Sequence, residues 1–288
     1  MTPGDLVGAV FGPTVVRLSS ERIADFVSAS GDDAARWETC APPGFAAVLL
    51  FAVAGDFLWD ERIAAHTRTL LHLDQSFAYF GPMNVDDAVR VEGTVTRARE
   101  RSGSFFVTFA AAAATGHGAD LLTSESTFVM SSATTGDPGM DDGEPGVTAR
   151  GWNDIPPRSA AVVGALPVLR KSASRADLVR YAAATKDFNP IHWDHAAARG
   201  GGAPGVIVHG LLMLAWALQG AAAIGAEHDP IARIKARFRN ALRPAEQAVV
   251  SVLADAIDET QEAPVSITVA RGDVDLLTAT ATVRTERG

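Results

Sequence analysis

The feature of this sequence that most constrains its fold is a long, nearly uncharged segment that occurs once in each half of the chain. The first, PGFAAVLLFAVAGDFLW, runs from Pro43 to Trp59, and the second, HGLLMLAWALQGAAAIGA, runs from His209 to Ala226. A helix that is apolar on all sides must be surrounded by other parts of the protein. We therefore expect each half of the chain to wrap further structure around one buried helix.

The chain after each of these helices has the composition of β-strands separated by turns. A helix followed by about four antiparallel strands is a sheet curled around a helix, and two such units side by side would form one continuous sheet. The sequence therefore predicts an α+β fold with two central helices and a shared antiparallel sheet. The predicted strands are LLHLDQSFAYF, VRVEGTVTRARE, SFFVTFAAAA and LLTSESTFVMS in the first half, and IARIKARFR, AVVSVLADAID, PVSITVAR and LLTATATVR in the second.

A shorter amphipathic helix precedes each central helix, which strengthens the case for an internal duplication. SSERIADFVSASGDD in the first half can be capped by Ser19 or Ser20, and SRADLVRYAAATKD in the second half can be capped by Ser174. The residues expected to face inward in the second copy are Leu178, Val179 and Tyr181.

The stretch from Ser131 to Pro157 is rich in Gly, Pro, Asp and Ser and has no apolar periodicity. Such a composition is typical of a linker. We therefore divide the chain into a first domain over residues 1–135, a linker over 136–158 and a second domain over 159–288.

The overall composition excludes several classes of protein. With 47% hydrophobic and 20% charged residues the chain can form a large core, and its net charge of −9 argues against a nucleic-acid-binding protein. Cys40 is the only cysteine, which rules out an intrachain disulfide and fits a reducing cytosol. The first residues lack the pattern of a secretory signal, so we expect a cytoplasmic protein.

The uncharged segment from Ala203 to Ala226 is long enough to cross a bilayer, but it is mostly Ala and Gly and contains His209 and Gln219. Its transfer into lipid is therefore much less favourable than that of a Leu-rich span. We expect a buried helix here and no membrane association.

The most specific segment of the sequence is DFNPIHWDHAAARGGGAPGVIVHG, from Asp187 to Gly210. Asp187, Asn189 and His192 lie within six residues, and Pro190 is expected to end the preceding helix between them. Beyond that break a carboxylate and an imidazole can converge on one water molecule. The N–H of Gly210, at the start of the second central helix, belongs to the kind of group that stabilises a developing oxyanion.

With these residues the chain resembles the MaoC-like (R)-specific enoyl-CoA hydratases and 3-hydroxyacyl-thioester dehydratases, which have the hot-dog fold. The second half resembles the catalytic domain, and the first half resembles the degenerate, non-catalytic amino-terminal domain of the double-hot-dog members. The matching residues are Tyr181, Asp187, Asn189, Pro190, His192, Ala196 and the segment Ile207-Val208-His209-Gly210.

The resemblance implies a role for each site residue. Asp187 and His192 are the expected catalytic pair, which activates water for addition to a trans-2-enoyl thioester or runs the reverse dehydration. Asn189 is expected to hold the geometry, Gly210 to bind the thioester carbonyl, and His209 to orient the loop or cap the helix. The expected partner is an acyl-CoA or an acyl carrier protein thioester, whose pantetheine is part of the substrate, and no metal or redox cofactor is implied.

One departure from the family pattern bears on this resemblance. Thr185 and Lys186 precede Asp187, where the family usually has a small residue and Gly. The Lys186 ammonium would lower the pKa of Asp187 if it pointed inward, and would have no effect if it pointed to solvent.

The first copy has lost part of the motif. Aligning Phe26 with Tyr181 places Asp32 opposite Asp187, Ala34 opposite Asn189 and Trp37 opposite His192. The first copy is therefore expected not to catalyse. We also expect the loss of its helix-end constraint to leave space for a long acyl tail.

Several other interpretations remain. The fold also supports thioesterases, and a catalytically silent acyl-binding subunit would retain the same motif. Asp-x-Asn-Pro also forms a turn without any chemistry. The sequence is compatible with a homodimer as well as with a monomer.

The remaining polar patterns are less specific. His192, Asp194, His195 and His209 match no standard metal-ligand spacing, so no metal site is expected. The alternating basic residues of the strand after the second central helix form either a solvated face or a docking edge for phosphates. These residues are Arg233, Lys235, Arg237 and Arg239.

Overall fold

The computed structural model describes residues 2–61, 67, 69–132, 139–141, 143, 154–155, 164–165, 168–254 and 262–285. Most of the predicted linker, 136–158, therefore lies outside the described residues, as does the end of the predicted strand AVVSVLADAID. The domain limits at 135 and 159 stay predictions.

The described strands form one sheet of eleven strands, and every pairing between neighbouring strands is antiparallel. Their order is β1-β3-β4-β5-β2-β8-β11-β10-β9-β6, and β7 also pairs with β9. The predicted continuous sheet is thus confirmed. The strands are β1 Val10–Arg17, β2 Thr69–Tyr79, β3 Ala88–Arg101, β4 Ser104–Thr115, β5 Asp120–Ser131, β6 Gly164–Ala165, β7 Leu169–Lys171, β8 Ile231–Phe238, β9 Ala248–Ala254, β10 Glu262–Arg271 and β11 Val274–Arg284.

The two halves of the sheet meet at β2 and β8, where Phe77 lies opposite Ile234 and Asp74 opposite Arg237. Each of these strands is the first after its own central helix. The duplicated units are therefore joined through equivalent strands, and the strand order on one side of the join repeats on the other.

Five α-helices are described: α1 Ser20–Ser30, α2 Ala46–Leu58, α3 Arg175–Thr185, α4 His195–Gly200 and α5 Gly210–Ala222. The central helices α2 and α5 are almost wholly buried. Helix α2 packs on β1, β3 and β4, and α5 packs on β8 to β11. Among the described helices none is long and apolar enough to cross a membrane.

Both predicted helix caps are present. The Ser19 side chain accepts a hydrogen bond from the N–H of Arg22, and Ser174 forms a capping box with Asp177. The prediction that Val179 faces inward is wrong, because its side chain is 58% exposed. Leu178, Tyr181 and Ala182 already fill the narrow inward stripe of α3, and Val179 lies beside that stripe.

Strands β1 and β7 were not predicted, and neither was the two-residue strand β6. Gly12 and Pro13 interrupt the apolar alternation of β1, and its register against β3 shifts between Phe11 and Thr14. β7 is only three residues long. These strands lie near the outer edges of the sheet, where short and irregular strands are common.

Candidate active site

The site begins where α3 ends. Helix α3 stops at Thr185, and Lys186 adopts the left-handed conformation with φ of 68°. The expectation that Pro190 ends this helix is therefore wrong, because the left-handed residue has already turned the chain away from the helix axis. Pro190 instead begins a single 3-10 turn that ends at His192.

Hydrogen bonds fix the loop between α3 and this turn. The N–H of Asn189 donates to Asp187 Oδ1 at 3.4 Å, and the N–H of Ile191 donates to Asn189 Oδ1 at 3.4 Å. Asn189 Nδ2 donates to the carbonyl of Leu70 in β2 at 3.1 Å. Asn189 therefore ties the loop to a strand of the first half.

Asp187 and His192 come together at this loop, with only 8% and 6% of their surfaces exposed. Potential ligand atoms of Asp187, His192 and His209 all lie within 4.8 Å of one another. His192 Nδ1 lies 2.8 Å from the carbonyl of Ile207. Because a carbonyl can only accept, Nδ1 carries the proton of the neutral ring and Nε2 keeps its lone pair.

Burial shifts the pKa values of this pair in opposite directions, since it disfavours the charged form of each group. It raises the pKa of Asp187 to about 7 and lowers the pKa of His192 to about 4. A carboxyl with a pKa near neutrality beside an unprotonated imidazole is suited to proton transfer.

His209 lies behind this pair. Its ring stacks on His192 at 3.7 Å between centroids, and its Nε2 lies 3.3 Å from the carbonyl of Asp187. Burial and the neighbouring His192 hold the pKa of His209 well below its usual value. Of the two roles expected for His209, the contact with the Asp187 loop is present, whereas its side chain makes no helix-capping hydrogen bond.

Gly210 is the first residue of α5. The N–H groups of the first helical turn have no acceptor within the helix, and the helix dipole places partial positive charge there. The ring of Phe238 comes within 3.1 Å of the position that a Cβ on Gly210 would occupy. A Cβ at this position would therefore fit only if the Phe238 ring moved by a few tenths of an ångström.

These groups open into a cavity of about 390 Å³ that both halves of the chain line. Asp187, Asn189, His192 and Gly210 contribute to the second-half side. We call the first-half side the first-half wall; it consists of Phe51, Leu58, Leu70, Leu71, His72, Leu73 and Phe128. His72 is the site residue that the sequence analysis missed, because only the pairing of β2 places it in the cavity.

The structure shows where the side chain of Lys186 points and what occupies the corresponding region of the first copy. Lys186 is exposed, with its ammonium 6.0 Å from the ring of Phe188, so it points to solvent and not toward Asp187. In the first copy Trp37 is only 3% exposed, and Lys171 Nζ donates to the carbonyl of Gly31 at 2.9 Å. The position opposite His192 is thus filled by Trp37, and the cavity takes its first-half surface from α2, β2 and β5 instead.

The other polar residues that the sequence suggested as site candidates lie apart from one another. Asp194 caps α4 by accepting from the N–H of Ala197, and His195 Nδ1 lies 3.4 Å from Asp141. The four residues considered for a metal therefore do not form one cluster. Of the basic residues on the strand after α5, Arg239 borders the cavity, whereas Arg237 lies 3.7 Å from Asp74.

The fold and this site define a double-hot-dog protein with a buried Asp–His pair beside the start of a central helix. Residues 160–273 match the family described as MaoC like domain, and residues 5–124 match the FAS1-like dehydratase domain region. The two matches together show a MaoC-like protein, with the MaoC-like domain in its second half.

The similarity to known proteins covers different shares of this chain and of theirs. A solved MaoC-like dehydratase is 22% identical and superposes with a TM-score of 0.79 over 99% of this chain and 100% of its own. The peroxisomal multifunctional enzyme type 2 of Drosophila melanogaster is 16% identical, with a TM-score of 0.67 over 96% of this chain and 48% of its own. A UPF0336 protein of Streptomyces griseus is 27% identical over 114 residues, which are 35% of this chain and 76% of that protein.

Proposed function

We propose that this protein is a hydro-lyase that adds water to trans-2-enoyl thioesters with (R) specificity, or runs the reverse dehydration of 3-hydroxyacyl thioesters. The observation that supports this proposal is the convergence of Asp187 and His192 beside Gly210 in one buried cavity. The family match supports the reaction class.

The first role belongs to Gly210. Its N–H, at the positive end of α5, donates a hydrogen bond to the thioester carbonyl oxygen and stabilises the negative charge that develops on that oxygen. Withdrawal of electrons toward that oxygen makes the β-carbon electrophilic. The thioester is then held with its double bond beside the Asp187 and His192 side chains.

The second role is proton transfer by the pair. His192 Nε2 takes a proton from water as the water oxygen bonds to the β-carbon, and the Asp187 carboxylic acid gives its proton to the α-carbon. The imidazolium then returns a proton to the Asp187 carboxylate, which restores both groups. Because both side chains lie on one wall of the cavity, hydroxyl and hydrogen add to the same face of the double bond.

The substrate supplies the remaining chemistry. CoA or carrier-protein pantetheine enters as part of the thioester, and water is the nucleophile, so the proposed steps use no covalent enzyme intermediate and no metal or redox cofactor. The acyl chain beyond the reacting carbons would extend along the first-half wall.

The test is to incubate the purified protein with trans-2-enoyl-CoAs of increasing length, following loss of enoyl-thioester absorbance and release of free thiol together. Absorbance loss without thiol release, abolished in Asp187→Asn and in His192→Ala, is the expected result. His195→Ala is the matched control, because His195 lies only three residues from His192 but outside the cavity lining.

The other outcomes contradict the proposal in distinguishable ways. Thiol release from saturated acyl-CoA would indicate a thioesterase. Binding of acyl-CoA without turnover of any enoyl thioester, including carrier-protein thioesters, would indicate a silent acyl-binding subunit.

A further inference from the structure

A histidine on the first-half wall is placed in the cavity by a β-bulge. The register of β2 against β5 shifts between His72 and Asp74. Side chains on a regular strand alternate between its two faces, so Leu70 and Phe77, which are both buried, could not share a face without one extra residue. The bulge supplies that residue and lets His72 face the cavity.

Two aromatic rings hold His72 in place. The His72 ring lies 4.6 Å from the ring of Phe128 and 4.9 Å from the ring of Phe238, centroid to centroid. Phe238 is also the residue that packs against Gly210. His72 therefore lies one aromatic ring further from Gly210, which corresponds to a few carbon atoms beyond the thioester on a bound acyl chain.

The His72 side chain lacks a full set of hydrogen bonds in the part of the chain that the structure describes. Its Nε2 is buried and has no partner there. Burial also lowers the pKa of His72 to about 3, so the ring is neutral near pH 7. An unpaired polar atom in an apolar setting is costly, and a ligand that satisfies it gains affinity and selectivity.

The other six residues of the first-half wall are all apolar. If the wall bound only plain alkyl chains, an apolar residue at position 72 would bind them more favourably than His72, because two aromatic rings already flank this position and a buried imidazole is costly there. We propose that His72 is a specificity-determining residue that hydrogen-bonds an oxygen on the acyl chain, so that the preferred substrate carries a hydroxyl or carbonyl group a few carbons beyond the double bond. This inference rests on the proposed function.

The residues of the first-half wall favour an uncharged oxygen group on the acyl chain over a carboxylate. The His72 ring already hydrogen-bonds the Asp74 backbone and the Gln75 side chain, which leaves Nε2 for a ligand. In a neutral imidazole Nε2 is a donor or an acceptor according to which nitrogen carries the proton, which suits a hydroxyl or a carbonyl. A carboxylate at the first-half wall would be desolvated against apolar side chains, because no described residue of that wall is charged and the cationic lining residue, Arg239, belongs to the other half of the chain.

The experiment compares trans-2-octenoyl-CoA with analogues that carry one hydroxyl or keto group on successive carbons beyond the double bond. For at least one position we expect the wild type to show about a tenfold higher kcat/KM than for the plain chain. His72→Phe should bring this ratio to about one, whereas His72→Gln, which can still hydrogen-bond, should keep part of the preference. His117→Phe, at an exposed turn, is the control for loss of a histidine.

A wild type with no preference at any position, or a His72→Phe variant with an unchanged ratio, would overturn the inference. Failure of the proposed function has a different signature, namely no turnover of any enoyl-CoA. In that event the binding of saturated octanoyl-CoA and its hydroxylated analogues to the wild type and to His72→Phe is compared by calorimetry. Tighter binding of one hydroxylated analogue would support the role of His72, and equal binding would refute it.

Discussion

Lys186 occupies a backbone conformation that favours glycine. Its φ of 68° is matched by Gly31, at φ of 63°, at the equivalent end of α1. A left-handed residue with a Cβ is disfavoured by roughly 1–2 kcal/mol, part of which is offset by the greater freedom of glycine in the unfolded chain. The family usually has Gly at this position, so the first copy retains the relaxed residue and the second copy does not.

We expect Lys186→Gly to raise the free energy of unfolding by about 1 kcal/mol. The mirror change, Gly31→Lys, should lower it by a similar amount. Urea unfolding followed by circular dichroism measures both changes. A Lys186→Gly protein that is less stable than the wild type would show that the Lys186 side chain makes a stabilising contact that outweighs the backbone strain.

The shifted pKa values of Asp187 and His192 predict the pH dependence of hydration. His192 accepts a proton only when neutral, a state that is lost as pH falls through about 4. Asp187 donates only when protonated, a state that is lost as pH rises through about 7. A plot of kcat/KM against pH should therefore be bell-shaped with limbs near these two values.

Initial-rate assays in buffers of constant ionic strength measure this profile. Re-assay at pH 6 after incubation at each pH separates protonation from unfolding. A rate that stays constant from pH 6 to 9 would contradict the assignment of Asp187 as the acid.

At the scale of elements, the end of β8 connects the sheet to the rim of the cavity. Arg233 and Arg239 lie on the same exposed face of this region, but only Arg239 is among the described residues that line the cavity. The guanidinium of Arg239 is held by a 3.2 Å hydrogen bond from Nε to Thr278 Oγ1. This position is suited to a phosphate of CoA at the cavity mouth.

Arg239→Ala should raise KM for an enoyl-CoA about tenfold, because a charge-assisted hydrogen bond to phosphate is lost. The same variant should change KM for the N-acetylcysteamine thioester, which lacks the phosphates, by much less. Arg233→Ala, which replaces an exposed arginine of β8 outside the lining of this cavity, is the control. An equal rise in KM for both thioesters would refute phosphate binding by Arg239 and favour a solvated basic face.

At the scale of the whole molecule, the features that could be predicted from the sequence are those determined by residues close together in the chain. Helices α2 and α5 and the eight long strands after them follow from apolar composition and turn residues that lie close together in the chain. The Asp187–His192 pairing was predicted for the same reason, since both residues lie on one short loop. Strand β1 was missed because Gly12 and Pro13 disturb its alternation.

The first-half wall could not be predicted, because it depends on contacts between distant parts of the chain. Leu70 and Asn189 are joined by a hydrogen bond across 119 positions in sequence, and His72 reaches the cavity only through the bulge in β2. Lys186 gave no signal of the early helix end, since a lysine is unusual in the left-handed conformation.

The shared sheet and cavity predict that the two halves unfold together. Phe77 is buried at the join between β2 and β8, so Phe77→Ala should cost about 3–5 kcal/mol and lower the urea midpoint of the whole protein. Enzyme activity and the hydrogen-exchange protection of α5 should be lost in one coincident transition, because α5 lies in the second half while the substitution lies in the first. The exposed Phe80, replaced by alanine, should change stability by less than about 0.5 kcal/mol. Two separate transitions in Phe77→Ala, with the hydrogen-exchange protection of α5 preserved after activity is lost, would show that the second half folds independently and that the first half contributes only the wall of the cavity.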